Sequence, residues 1–180
     1  MLSNLFKHIT PQLSYGMIFF FCLGVVGYAY YAQFINNADS CPLCIAQRII
    51  FALCSIVALG AMIHHSRDWA NWIYSIVILA LALFGIKTAA HHIWLQSLPP
   101  SEWPASCGMP LQILYKKIPL SGFIHTILSG SAECAMVNWK ILGISAPILS
   151  LSAYVIVAVV ALYILCSPRV KKQTLYWTNL

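Results

Sequence analysis

The fold this sequence predicts is an all-α membrane protein, a four-transmembrane-helix bundle with a long periplasmic loop, and three observations predict it. Of 180 residues, 61% are hydrophobic and only 8% charged, against about 45–50% apolar and about 25% charged in a soluble domain. So few charges cannot coat a soluble surface of this size. Four apolar stretches, at about 15–35, 45–63, 72–90 and 146–166, each approach the roughly 20 residues that cross a hydrocarbon core. The formal net charge of +6 does not gather into a basic stripe; it falls at the flanks of these stretches, which fits a membrane surface and excludes a nucleic-acid binder. With no internal repeat and no low-complexity segment, residues 1–180 read as a single membrane domain.

The first span follows a weak basic start, Lys7 and His8. It exceeds the ~7–15 residues of a signal-peptide core and no small-x-small site follows, so it reads as a retained span. The second and third spans are joined by a short link, His65, Ser66, Arg67 and Asp68, which makes them an antiparallel pair. Four spans put both termini on one side and the loops 36–44 and 91–145 on the other. Within the long loop, Ser121 can cap a short helix whose Phe123, Ile124, Ile127 and Leu128 share a face, ended by Ser129 and Gly130. Such a stripe suits a helix lying in the membrane interface, or one packed on the protein itself. The fourth span precedes a basic tail.

Orientation rests on two signals. Arg169, Lys171, Lys172, Lys7 and Arg67 favour cytoplasmic termini, while Lys116, Lys117 and Lys140 in the long loop oppose them, so basic residues only lean that way. Cysteine usage decides. Of seven cysteines, Cys22, Cys54 and Cys166 lie inside apolar runs and read as small hydrophobes. Cys41, Cys44, Cys107 and Cys134 lie in polar segments, all on the side opposite the termini. A cytosolic face would keep them reduced, so that side reads as periplasmic. Tyr28, Tyr30, Tyr31, Trp94, Trp103 and Trp139 on the cysteine side, with Trp69, Trp72 and Trp177 on the other, read as aromatic belts.

Chemistry concentrates at Cys41-Pro42-Leu43-Cys44, where a loop becomes a helix. Two intervening residues let one helical turn hold both sulfurs within bonding distance. The helix N-terminus favours a thiolate, and a low thiol pKa makes a good leaving group in exchange. The pair therefore looks poised to cycle, although half a zinc site or a structural disulfide would share the spacing. A zinc site usually needs a second closely spaced pair, which Cys107 and Cys134 do not form along the chain. Arg48, four residues after Cys44, shares its helix face. A charge this close to the bilayer either holds an oxidised headgroup or a thiolate, or snorkels to lipid phosphate. Gln47 reads as a weaker polar neighbour. Cys107 lies among Pro104, Gly108 and Pro110, so the second pair suits either a mobile disulfide meeting an external thiol protein or a staple closing the loop. At the outer end of the third span, His91 and His92 offer an imidazole to a ligand carbonyl, or simply meet water. His64 and His65 lie at the opposite face, and Lys87, one turn before His91, is either a snorkelling base or a secondary electrostatic contributor.

Taken together these residues resemble the disulfide-bond-formation protein B family, DsbB, of bacterial inner membranes. The resemblance is carried by C-P-L-C-I-A-Q-R at 41–48, H-I-W-L-Q at 92–96, P-A-S-C-G at 104–108, S-G-S-A-E-C at 129–134 and N-W-K-I-L-G at 138–143, spread in order between four spans. It implies a multi-pass protein with a quinone cofactor (ubiquinone or menaquinone), membrane lipid around it, no metal, and a periplasmic thioredoxin-fold oxidase of the DsbA kind as partner. The four catalytic residues it implies are Cys41, Cys44, Cys107 and Cys134. Cys107 would be attacked by the partner, Cys134 would exchange with Cys41, and Cys44 would be the thiolate beside the quinone. Arg48 matches the family's quinone-site arginine. The ring-contacting histidine precedes L-Q by three residues, which selects His92 over His91. The vitamin K epoxide reductase family, also four-helical with C-x-x-C and a quinone, starts its last core helix with that pair, so the order here is similar to DsbB. The alternative is a scaffold or small transporter stapled by two disulfides, with no redox turnover.

Overall fold

A computed structural model describes residues 10–36, 41–64, 68–103, 130, 132–135, 140–141 and 144–166. Four long helices dominate: α1 (Pro11–Asn36), α2 (Pro42–Ile63), α3 (Asp68–Ser97) and α4 (Ala146–Cys166). All four are long and apolar enough to cross a membrane. Proline sits at the start of α1, α2 and α4 and nowhere in their interiors, where its missing N–H costs no ladder bond. A 3₁₀ turn (Pro100–Glu102), a single helical turn (Ala132–Ala135) and a two-residue antiparallel ladder of β1 (Lys140–Ile141) with β2 (Ile144–Ser145) occupy the connection between α3 and α4. Cys107, the 121–128 stretch, Lys116, Lys117, Trp139 and the basic tail with Trp177 lie outside the described residues.

The third span differs from its hydropathy. Polarity at His91, His92 and Gln96 marks a loop start after residue 90, yet α3 runs on to Ser97. The helix continues because its last turns are packed on protein: His92 is 2% exposed and Leu95 also 2%. A polar residue inside the fold needs a partner rather than water, and here it has one.

α1 packs along α2, α2 along α3, and α3 along α4, while α1 and α4 barely meet. Small residues let the helices approach: Ala58, Ala61, Ala82, Ala89, Ala153, Ala158 and Ala161 are all buried at the contacts. At Gly85 the approach is closest. A Cβ there would stand 2.3 Å from the ring of Tyr154, which stacks on Phe51 with centroids 3.9 Å apart. Cys22 and Cys54 are fully buried in this core, as small hydrophobes; Cys166 is exposed at the end of α4.

Polar groups inside the bundle are paired, as a hydrocarbon surround demands. The Tyr15 hydroxyl donates to the Asn71 carbonyl (2.9 Å) and lies 2.7 Å from Ser75 Oγ. Ser55 reaches the Phe19 carbonyl, and Thr88 the carbonyl of Gly85. Among the described residues no buried side-chain nitrogen or oxygen lacks a partner. Outward, Phe20, Phe34, Ile56 and Val159 are exposed where lipid tails would cover them, and exposed Tyr28, Tyr30, Tyr31 and Trp94 ring the cysteine end.

Candidate functional site

The site is built on the first turn of α2. Cys41 is its N-cap, with extended backbone (φ −65°, ψ 156°), and Pro42 follows at the first helical position. The Cys44 N–H donates to Cys41 Sγ at 3.3 Å, so the thiol does the work usually left to Ser or Asp. That geometry leaves the two sulfurs 2.9 Å apart on one turn. Cys41 is buried and Cys44 half-buried.

The turn has two different sides. On one side lies a cavity of about 510 Å³, in the gap that the slight contact between α1 and α4 leaves open. Its walls are mostly apolar (Phe20, Phe21 and Phe51 among them), and the residues with polar groups are few: Tyr28, Cys44, Gln47, Arg48 and Ser150. Arg48 is anchored to α1. Its guanidinium donates to Gln33 Oε1 and to the Ala29 carbonyl (3.2 Å) and lies over the Tyr30 ring, 4.9 Å from the centroid. These bonds hold the charge at the cavity instead of leaving it to snorkel into lipid. A cavity of this size, with an apolar lining and a few donors, fits a quinone headgroup. Arg48 and Gln47 would be the donors to its carbonyl oxygens, and Cys44 the thiol on the same wall.

On the other side, Cys134 is brought to Cys41. Cys41 Sγ, Cys134 Sγ and a ring nitrogen of His92 all lie within 4.8 Å of one another. Leu43 and Leu95 complete a small buried cluster with these two cysteines. His92 Nε2 lies 3.1 Å from the Cys134 carbonyl oxygen and 3.8 Å from Cys41 Sγ, while Nδ1 lies 3.4 Å from Gln47 Nε2. A carbonyl only accepts, so Nε2 carries the hydrogen, and Nδ1 accepts from the Gln47 amide. Two thiols and an imidazole this close also have the composition of a soft-metal site, so the distance between Cys41 and Cys134 along the chain is no argument against metal. In the tautomer these contacts set, the nitrogen facing the sulfurs carries the proton and donates.

Cys41 does not follow its helix dipole. A helix N-terminus favours a thiolate, but hydrogen bonding to Cys134, then to Cys44, together with burial, holds the Cys41 thiol well above the ordinary thiol range. The proton on Cys41 is shared among neighbouring sulfurs that would repel a second negative charge.

Of the sequence-predicted site residues, Cys41, Cys44, Arg48, His92 and Cys134 gather at one end of the bundle; Cys107 lies outside the described residues. Cys44 and Arg48 line the cavity, whereas His92 does not: it faces the sulfurs on the far side of Cys41. His91 stacks on Trp94, and Lys87 is exposed. Sequence reasoning underrated Gln47, which lines the cavity, holds His92, and accepts through its carbonyl from the Tyr154 hydroxyl at 2.7 Å. Its signal was a polar side chain one turn beyond Cys44 in an apolar run. Gly130 and Tyr154 carried no such signal.

Comparisons with known proteins give the family. A family described as disulfide bond formation protein DsbB matches residues 11–164. The chain is similar to disulfide bond formation protein B of Hahella chejuensis, 35% identical over 147 residues, covering 82% of this chain and 88% of that protein. It is 39% identical over 129 residues to the protein of that name from Methylococcus capsulatus (72% and 78% covered). With that from Marinobacter nauticus it shares 31% over 164 residues (89% and 97%). A four-span bundle with a cysteine pair capping its second helix, matched along nearly its whole length, belongs to the DsbB family.

Proposed function

We propose the route by which this membrane disulfide-generating oxidoreductase takes electrons from a periplasmic thiol oxidase of the DsbA kind and delivers them to a membrane quinone. The protein is multi-pass in a bacterial inner membrane; the reading here puts both termini in the cytoplasm and the cysteine end in the periplasm. The partner's thiolate attacks Cys107 of a Cys107–Cys134 disulfide, which frees Cys134. Cys134 then attacks Cys41 of a Cys41–Cys44 disulfide. A Cys41–Cys134 bond forms, the Cys41–Cys44 bond breaks, and the electron pair leaves on Cys44. A ubiquinone or menaquinone bound in the cavity supplies the two-electron acceptor. Cys44 is held against that cavity by the first turn of α2, and Arg48 favours negative charge there, in a place partly out of water where a fixed cation acts strongly.

The observation that supports this order is the position of Cys41, with Cys134 on one side and Cys44, at the cavity, on the other. Electrons bound for the quinone must pass through the middle sulfur. The resemblance also assigns His92 to the quinone; the cavity supports that assignment for Cys44 and Arg48 but not for His92.

The test is a trap. With Cys134→Ser, the Cys107 thiolate should displace thionitrobenzoate from a DsbA-type protein that keeps one cysteine, activated as its thionitrobenzoate disulfide, and the lasting mixed disulfide should map to Cys107. Attachment through Cys41 or Cys44 reverses the assigned roles. Absence of quinone turnover in a correctly paired wild-type sample would instead leave a stapled scaffold.

A further inference from the structure

His92 has its place among the sulfurs rather than in the cavity. One ring nitrogen meets both partners of a single exchange: Nε2 is 3.1 Å from the Cys134 carbonyl oxygen and 3.8 Å from Cys41 Sγ. The other nitrogen takes a hydrogen bond from the Gln47 amide, which fixes the tautomer and the ring plane. The Gln47 backbone carbonyl accepts from the buried Tyr154 hydroxyl, which ties this point of α2 to α4.

The Cys134 segment is gripped from a second direction. Gly130 has φ +78°, a left-handed conformation that favours glycine. A Cβ there would lie 2.6 Å from Leu95 Cδ1 and 3.0 Å from Leu43 Cδ1. Leu95 is one turn beyond His92 on α3, and Leu43 lies between Cys41 and Cys44. Gly130 therefore seats the segment on both helices that carry the site, and the His92 hydrogen bond sets its far end.

We propose that His92 and Gly130 are positioning residues for exchange between the two cysteine pairs: His92 by holding the Cys134 backbone, Gly130 by letting that segment close onto Leu43 and Leu95, so that Cys134 Sγ meets Cys41 Sγ. The inference rests on the relay order above. In that exchange Cys134 attacks Cys41 and the electron pair leaves on Cys44. His92 gives and takes no electrons, and its bond to the carbonyl is present before and after. What it supplies is proximity, which governs intramolecular exchange.

The test isolates each pair in the full chain and needs neither partner nor quinone. A Cys44→Ser/Cys107→Ser protein retains only the Cys41 and Cys134 thiols of the relay, and a Cys107→Ser/Cys134→Ser protein only Cys41 and Cys44. Each is equilibrated in glutathione redox buffers in detergent, and the disulfide fraction gives an effective concentration for the pair. His92→Ala should lower that of Cys41–Cys134 by about tenfold, the worth of one buried hydrogen bond, and leave Cys41–Cys44 unmoved. His92→Gln, which keeps an N–H donor, should restore part of it. Gly130→Ala should produce the same selective loss from the other direction. A fall in both pairs together would mean general loss of structure and would overturn the proposal, as would no change in either. If Cys41 and Cys134 never join with His92 and Gly130 intact, the relay order itself fails, whatever His92 does.

Discussion

The two sides of the first turn of α2 differ as a socket differs from a joint. On the Cys44 side the walls are wide and apolar, and an anchored cation lines a volume of about 510 Å³. On the Cys41 side there is little free volume: Cys134 is fully buried, and Leu43, Leu95 and His92 close around it. The two sulfurs of one Cys-x-x-Cys pair thus look into different environments, three residues and 2.9 Å apart. A socket can admit and release a small molecule. A joint can only align atoms already tethered to the chain. The difference teaches that the spacing does more than make a disulfide: it lets one bond be opened from the protein side and re-formed from the ligand side.

The largest separable effect should come from Arg48. Arg48→Ala removes the cation at the socket and its bonds to Gln33 and Ala29, but touches neither Cys41 nor Cys134. A hydrogen bond to a charged group is worth about 1.5–3 kcal/mol, so quinone reduction should weaken by roughly 10- to 100-fold. The glutathione equilibrium of Cys41 with Cys134 should not move. Steady-state rates over a range of quinone concentrations check this. Unchanged kinetics would remove Arg48 from the mechanism, and a parallel loss at the joint would mean the two sides are not separate.

A second difference is protonic. Hydrogen bonds donated to Cys134 and Cys44, with burial, raise the Cys41 thiol above the ordinary range. In the reduced protein the folded state therefore holds a proton that the unfolded chain releases above about pH 8.5. The native state binds more protons there, so this contribution is complete below that pH and is lost as pH rises, at about 1.4 kcal/mol per pH unit until Cys41 itself ionises. Urea or thermal unfolding of the reduced protein from pH 7 to 10 should show that fall, and Cys41→Ala should make it shallower by the share of one thiol. Iodoacetamide should label Cys41 slowly at pH 8 in the folded protein and at the ordinary thiol rate once unfolded. Fast labelling in the folded state would put the helix dipole above the sulfur neighbours.

The socket was more legible in the sequence than the joint, for a physical reason. Cys44, Gln47 and Arg48 sit within one turn of each other, so helical periodicity puts them together before any tertiary contact is known. The four spans were equally plain, since a hydrocarbon solvent leaves a composition signal over about 20 residues. Cys134 and His92 are separated by 42 positions, and nothing local says that a loop thiol will dock on a helix end. The hydropathy drop at His91 and His92 even placed a loop start where α3 continues, because a histidine bonded to a buried carbonyl reads the same as one facing water. Gly130 shows the limit best. Its value lies in a positive φ and two leucine methyls from distant segments, and in the sequence it is one glycine among nine.

The smallest predicted effect bears most directly on whether socket and joint are coupled. Tyr154 stacks on Phe51 and donates its hydroxyl to the Gln47 carbonyl at 2.7 Å. That carbonyl already serves the α2 ladder and has a second lone pair for the tyrosine. Tyr154→Phe keeps the ring and its stack and orphans no backbone group, so the cost is one interhelical hydrogen bond inside a membrane, about 0.6 kcal/mol. Gln47, however, reaches both sides: it lines the cavity and holds His92 Nδ1. Loosening it should therefore shift the apparent quinone affinity and the Cys41–Cys134 equilibrium together, each by no more than about threefold. Both are measured on the proteins already described. A shift at the socket alone would mean that His92 holds its place without Gln47. A shift at the joint alone would mean that the amide lines the cavity without touching what binds there.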